Sequence, residues 1–169
     1  MSERVETERL VGERVCSEHY EALCALLCDP RVGATLGGTL TRDGVSASLA
    51  DKVAHWQRYG FGYWMWRERS SGAPVARGGL QNTRVDGRDE VEVGWAVMAD
   101  RWGEGFATEL GAASVRFGFE ELDLDDVVAY TLPTNRASSR VMEKLGFDYE
   151  KDVVHADLPH VLYRIAAPR

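Results

Sequence analysis

A chain of 169 residues with 44% apolar content and sixteen aromatics (five Trp, six Tyr, five Phe) carries enough hydrophobic material for a packed core. That composition excludes disordered, collagen-like and low-complexity classes. Twenty Lys and Arg against 27 Asp and Glu leave a net charge of −7, which argues against nucleic acid and suits a cationic or neutral partner.

Three cysteines, an odd number, argue against a disulfide framework. The opening residues, Met1 to Leu10, are charged throughout and do not read as a secretory leader. The longest apolar stretch, Ala22 to Cys28, is too short to cross a bilayer. Cytoplasmic localisation, away from membranes, is the expectation.

In chain order, Leu10 to Val15 reads as a strand. Ser17 follows as a helix N-cap, with Tyr20, Leu23, Cys24, Leu27 and Cys28 at helical spacing until Asp29-Pro30 stops the run. Cys24 and Cys28 therefore belong to an apolar face rather than a metal pair, and no His or carboxylate at ligand spacing completes a zinc site. Gly33 to Gly44, rich in Gly and Thr, reads as a loop. Ser46 to Tyr59 forms a second amphipathic helix with Leu49, Val53 and Trp56 on one side, ended by Gly60-Phe61-Gly62. His19 and His55 fall on these helices and are expected at the surface.

Tyr63 to Arg69 and Val75 to Gln81 pair as a hairpin about the turn Ser70 to Pro74, and Glu90 to Met98 follows the turn Asp86-Gly87. The pattern then alternates. Gly103 to Phe119 is a helix with Phe106, Leu110, Ala113 and Phe117 on one face, and Val127 to Leu132 is a buried strand. Asn135 to Leu145 is a helix ended by Gly146, and Phe147 to Val154 and Val161 to Ile165 close as strands, with His160 at the start of the last. An antiparallel half followed by a strand–helix–strand half predicts one α/β domain over residues 1–169 around a mixed sheet.

The turn between Met98 and the next helix carries Gly103 and Gly105. Backbone amides at a helix start lack internal partners, and with the helix dipole they suit an anion such as a pyrophosphate. Glycine there lets backbone approach the anion closely. The turn lacks the Gly-Lys-Ser/Thr of a P-loop, and the third Gly and distal acid of a Rossmann fingerprint have no clear place.

Thirty residues beyond Gly105 stands Asn135-Arg-Ala-Ser-Ser-Arg-Val-Met-Glu-Lys-Leu-Gly-Phe147. Together with Arg101-Trp-Gly-Glu-Gly-Phe-Ala-Thr-Glu109 it resembles the GNAT superfamily of acyl-CoA N-acyltransferases, and within it the RimJ/RimL-type branch. Thr7-Glu-Arg-Leu10 and Leu158-Pro-His-Val-Leu-Tyr-Arg-Ile165 are similar to that branch too, so the resemblance spans nearly the whole chain.

The resemblance implies a mostly antiparallel mixed sheet, flanked by about four helices and splayed where acyl-CoA enters. It implies that Val97 and Met98 offer backbone to the pantetheine. It further implies that Trp102, Gly103, Glu104, Gly105, Phe106, Ala107 and Thr108 hold the pyrophosphate, with Asn135 and Ser138 touching the cofactor. Two departures stand out. Trp102 occupies a place where the family pattern has Gln or Arg, with Arg101 beside it as an alternative phosphate ligand. Met142 occupies a place where many members carry a Tyr acid, and a thioether donates no proton. Ser138, one turn earlier, matches the branch's serine. Asn135 and Ser138 also fit ordinary helix-start chemistry.

The implied activity is transfer of an acetyl group from acetyl-CoA to a primary amine, without a metal and without a covalent enzyme intermediate. A longer acyl group, or a binding-only sensor or scaffold domain, is the alternative. Glu92, on the strand leading into the turn, is the leading base, with His155 or Asp157 orienting the acceptor and competing for the role. Pairing of Glu92 with a neighbouring Arg on an exposed face is the plain structural alternative. The acceptor stays open among protein N-termini, polyamines, amino acids and aminoglycoside-like compounds, and a homodimer stays open as an assembly.

Overall fold

The computed structural model describes residues 3–168. Eight strands among them form one sheet in the order β1-β2-β3-β4-β5-β6-β8-β7. They are β1 (Arg4–Glu6), β2 (Leu10–Arg14), β3 (Tyr63–Glu68), β4 (Pro74–Val85), β5 (Arg88–Val97), β6 (Asp126–Thr131), β7 (Asp148–His155) and β8 (Leu158–Ala166). Every neighbouring pair is antiparallel except β5 with β6. The expected mixed, mostly antiparallel sheet is what forms. The β4–β5 hairpin is longer than the sequence pattern predicts, running from Ala76 opposite Val97 to Val85 opposite Arg88. Its outer half carries Asn82, Thr83 and Arg84, whose polar side chains hide a strand from a hydrophobicity reading. Asp86 and Gly87, both at positive φ (48° and 75°), close it in the geometry favoured by tight hairpins.

Five α-helices flank the sheet, one more than expected. The first, α1 (Tyr20–Leu27), follows a short 3₁₀ turn whose N-cap is Cys16 rather than Ser17. Cys24 is buried on its apolar face as the spacing predicts, and Cys28 is half-buried. The stretch predicted as a loop from Gly33 instead contains α2 (Pro30–Leu36). Asp29-Pro30 both stops one helix and starts the next: Pro30 sits in the first turn, where its missing N–H costs nothing, and Asp29 Oδ1 accepts from Arg31 N at 2.8 Å. Gly33 lies inside that helix because Thr39 presses on it, its Cα 2.6 Å from where a Cβ would stand.

Helix α3 (Arg42–Tyr59) begins four residues before the predicted start, capped by Thr41, whose Oγ1 accepts from Gly44 N at 3.1 Å. Helix α4 (Phe106–Glu120) crosses over from β5 to β6, and α5 (Arg136–Lys144) joins β6 to β7. The predicted face of α4, with Phe106, Leu110, Ala113 and Phe117, is buried.

His19 is buried and His55 half-buried, so neither stands freely at the surface. His19 is 5% exposed, and its Nδ1 accepts from Cys16 N at 3.1 Å. His55 Nε2 accepts from Asn82 N at 3.0 Å, so its Nδ1 carries the proton and donates to Phe61 O at 2.8 Å. Burial lowers the pKa of both rings. His19 closes its own 3₁₀ turn, and His55 ties α3 to the segment at Phe61 and to β4 at Asn82.

The core beneath α4 is aromatic. Trp64 and Trp66 are fully covered, and Trp66 Nε1 donates to Gly78 O at 3.1 Å. On the opposite sheet face Tyr63, buried, reaches across to β5, which carries glycine where the hydroxyl arrives. Gly79 of β4 pairs with Gly94 of β5, and a Cβ at Gly94 would collide with the Tyr63 hydroxyl. Gly94→Ala is therefore expected to destabilise the fold by about 1–3 kcal/mol, the range for overpacking. Removing that hydroxyl leaves the Tyr63 ring carbon 3.2 Å from the new methyl, a contact that small shifts absorb. Urea unfolding of Gly94→Ala with and without Tyr63→Phe checks this: the second substitution should recover most of the loss.

Candidate active site

The sheet opens beyond one bridge. β5 and β6 pair only at Glu92 with Val128, after which β5 continues without a partner on that edge. Val97 presents its carbonyl to this gap. The Trp102 indole, on a side chain 48% exposed, donates to it at 2.9 Å. Met98 faces the other way, its amide donating to Val75 O at 2.8 Å and its carbonyl accepting from Arg101 N at 2.9 Å. Of the two residues expected to offer backbone to the gap, Val97 does so and Met98 does not.

The turn below the gap runs through a short 3₁₀ segment to Gly103 and Gly105, at φ 81° and 82°. Nothing lies within 4 Å of a Cβ placed at Gly103, and at Gly105 only the tip of Arg9 comes near, at 3.4 Å. Within the protein these glycines answer to a left-handed backbone rather than to crowding, and the space beside them is open. Gly105 caps α4 without a side chain, and the first helical bond is Glu109 N to Gly105 O. The amides of Phe106, Ala107 and Thr108 are thus left without helical partners at the positive end of a 15-residue helix. Such a site suits an anion.

Two guanidiniums brace this turn, over the Phe106 ring at 4.6 Å (Arg9) and 4.9 Å (Arg101). Both are engaged. Arg9 holds Glu109 at 2.7 Å and donates to Glu104 O at 2.8 Å, while Arg101 holds Glu104 at 2.7 Å and Glu68 at 2.9 Å. Arg101 keeps both partner carboxyls below their usual range. Arg101 is therefore a brace rather than a free phosphate ligand, and the Glu104 side chain points into that brace.

Across the gap, Asn135 caps α5, its Oδ1 accepting from Ser138 N at 3.2 Å. Ser138 Oγ accepts from Asn135 Nδ2 at 3.1 Å and from Trp95 Nε1 at 3.3 Å. With two donors pointing at its oxygen, the Ser138 hydroxyl is left to donate its own proton into the cleft it lines. Met142 lines the same cleft and is buried.

This cleft, about 350 Å³, also contains Glu92, His155 and His160 from the sequence reading. Glu92 is 7% exposed and accepts from Gln81 Nε2 rather than pairing with an Arg on an open face. Tyr130 Oη lies 3.0 Å from Thr83 Oγ1 and 3.4 Å from His155 Nε2, and its ring packs against His155 and His160. Asp157 stands apart, exposed in the β7–β8 turn at φ 62° and outside the cleft lining.

Sequence reasoning missed Lys52, Tyr63, Arg77, Gln81 and Tyr130, which also line the cleft. Lys52 Nζ donates to Gln81 Oε1 and lies 4.6 Å from the Tyr63 ring centre, with the Arg77 guanidinium 4.9 Å from the same ring. Burial, then the Arg77 charge, pulls Lys52 down to about 8. Burial pushes the Tyr63 and Tyr130 phenols up, with the Glu92 charge adding to both, so both stay protonated near neutrality. A signal existed: Lys52 sits at helical spacing from Leu49 and Trp56, and Arg77, Gly79 and Gln81 alternate on one strand face. Among the described residues no three His, Cys, Asp or Glu side chains gather as a metal site.

Residues 9–148 match the family model described as acetyltransferase (GNAT) domain. The uncharacterized protein YkkB of Bacillus subtilis is 29% identical over 105 residues, 62% of this chain and 61% of that protein. FsC-acetyl coenzyme A-N(2)-transacetylase of Aspergillus fumigatus is 36% identical over 77 residues, 46% of this chain and 32% of that protein. The chain thus spans less than two thirds of the length of either curated relative. A GnaT-family acetyltransferase structure from Bordetella pertussis superposes with a TM-score of 0.84 at 25% identity, covering 98% of this chain and all of that one.

The lowered Lys52 value fixes a pH signature. Its folded-state value, about 8, lies below the unfolded 10.5, so between these limits the unfolded chain binds the proton and stability rises with pH. Below about pH 8 the buried ammonium weakens the fold. Lys52→Met should therefore stabilise the protein at pH 7 by on the order of 1–3 kcal/mol. That advantage should shrink as pH rises from 8 to 10.5, as denaturant midpoints across the range will reveal.

Proposed function

The chain belongs to the GNAT acetyltransferase family, and we propose that it moves an acetyl group from acetyl-CoA to a primary amine by direct attack in a ternary complex. The observation that carries this is the single β5–β6 bridge, which leaves the end of β5 unpaired where the chain turns into the three free amides of α4. The name of the Aspergillus relative, an acetyl coenzyme A transacetylase, supports the choice of acyl donor. The free cysteines and the lack of a long apolar helix among the described residues are consistent with the cytoplasm as its compartment.

In this reading the amides of Phe106, Ala107 and Thr108 hold the pyrophosphate, and Gly103 and Gly105 shape the turn. The Trp102 indole leaves the Val97 carbonyl when the pantetheine arm arrives to pair with that edge. The Val97 N–H points the same way as its carbonyl and is placed to polarise the thioester. Acetyl-CoA supplies the activated acetyl group. Glu92 takes the proton that the attacking nitrogen loses as its bond to the carbonyl carbon forms. The carbon–sulfur bond then breaks, and the Ser138 hydroxyl donates a hydrogen bond to the departing thiolate. His155, beside Tyr130, orients the acceptor. Asp157, outside the cleft, has no part.

Thiol release from acetyl-CoA against a broad amine and peptide panel tests the assignment. Catalytic turnover is expected with at least one amine; coenzyme binding without any turnover would favour the sensor alternative. For Ser138, alanine keeps the backbone N–H that Asn135 caps, so melting should move little. The expected result for Ser138→Ala is a fall in kcat of about tenfold, about 1.4 kcal/mol, with coenzyme affinity within about twofold. Kinetics and calorimetry on one preparation decide it.

A further inference from the structure

Most arginines near this site are held by carboxylates. Arg9, Arg101 and Arg164 each carry a partner at 2.9 Å or closer, and Arg164 holds Glu90, Asp126 and Glu150 together. Arg77 and Lys52 differ. Among the described residues neither has a carboxylate within 4.0 Å, although both are half-buried and line the cleft. Glu92 is linked to Lys52 through the Gln81 amide, and the charges of Glu92 and Asp51 act on the ammonium without contacting it.

The cleft therefore holds two cations against one carboxylate, inside a chain whose net charge is −7. A half-buried guanidinium without a counter-charge is costly, and so is the lysine beside it, unless a ligand supplies the missing anion. The pyrophosphate is assigned elsewhere, since none of residues 102–108 lines the cleft. The global charge suggests a cationic or neutral partner, but the local balance points the other way.

We propose that the acceptor amine carries an anionic group of its own, a carboxylate or a phosphate, bound by Arg77 and Lys52. The inference rests on the acetyltransfer reading and deepens it. The planar fork of Arg77 suits either anion, and Lys52 adds a point charge. Gln81 separates this pair from Glu92, so one cleft holds an anion at one end and an amine at the other. That is the charge pattern of a free amino acid or an amino phosphate. A volume of about 350 Å³ fits a molecule of that size. Polyamines and aminoglycoside-like compounds, which bring only cations, meet repulsion there, and an internal peptide amide leaves the pair unmatched.

The test compares kcat/KM, by thiol release, for matched acceptors: free amino acids, their primary amides, the corresponding decarboxylated amines, and O-phosphoethanolamine. An anionic acceptor should exceed its neutral counterpart by about 100-fold or more, equivalent to about 2.7 kcal/mol. The carboxylate and phosphate arms identify which anion is used. In Arg77→Gln, shown by melting to be folded, the preference should collapse to within about threefold, chiefly through KM, and Arg77→Lys should restore part of it. Neutral amines that match the acids, or a preference that survives Arg77→Gln, would overturn the proposal. Should no amine release thiol, the acetyltransfer assignment fails on its own. Calorimetry with an N-acetyl amino acid and an N-acetyl alkylamine then still decides: only the first should bind, and Arg77→Gln should abolish it. Binding of neither, or of both equally, counts against the anion site.

Discussion

A β-strand inside a sheet has two edges to satisfy, and β5 satisfies only one of them along its whole length. On the β4 side it pairs from Arg88 to Val97; on the β6 side it bridges once, at Glu92 and Val128. Backbone groups left unpaired in a protein interior are expensive, so such an opening persists only where something fills it. Helix α4 carries the chain from β5 to β6 while packing on β4 and β5, and this sets where the parallel strand can dock. The cleft, the exposed turn at the start of α4, and the facing start of α5 all follow from that divergence.

A second constraint acts on the opposite face of the hairpin. Tyr63 can reach across to β5 only because Gly94 stands where its hydroxyl arrives, while Gly79 makes room for the Gly62 carbonyl and the Trp64 ring. The ring then supports two cations, Lys52 and Arg77, and sits close enough to Glu92 for the carboxylate to raise its phenol. Packing and electrostatics are joined here. The fold tolerates a depressed lysine and an unmatched guanidinium in a place where apolar side chains would stabilise it more, and such tolerance is characteristic of sites kept for function.

Much of this was legible in the chain. Strand alternation marks the hairpins and local chemistry marks the anion-binding turn at Gly103 and Gly105, whereas the family and the splayed sheet rest on the resemblance that the motifs about Gly105 and Asn135 carry. The misses were of two kinds. Helix α2 was hidden because its signals, Asp29-Pro30 and a run rich in Gly and Thr, serve equally for a break; only the packing of Thr39 on Gly33 decides between them. The charged lining of the cleft was hidden because it is assembled from α3, β3, β4 and β6, far apart in sequence. His55 is hidden for a related reason: it bonds to backbone at Phe61 and Asn82, which the pattern along one helix does not reveal, and His19 is buried by closing its own 3₁₀ turn onto Cys16 N.

The Trp102 indole has a consequence for observing the molecule. Of its five tryptophans, Trp56, Trp64 and Trp66 are buried and Trp95 is half-buried, so Trp102 alone stands largely in water. It is also the side chain whose N–H occupies the open edge of β5. Emission at long wavelength, and sensitivity to collisional quenchers such as iodide, therefore report on one residue at the open edge of β5. Any molecule that takes the Val97 carbonyl must displace that indole, and the protein signals its own occupancy in ultraviolet light without a label.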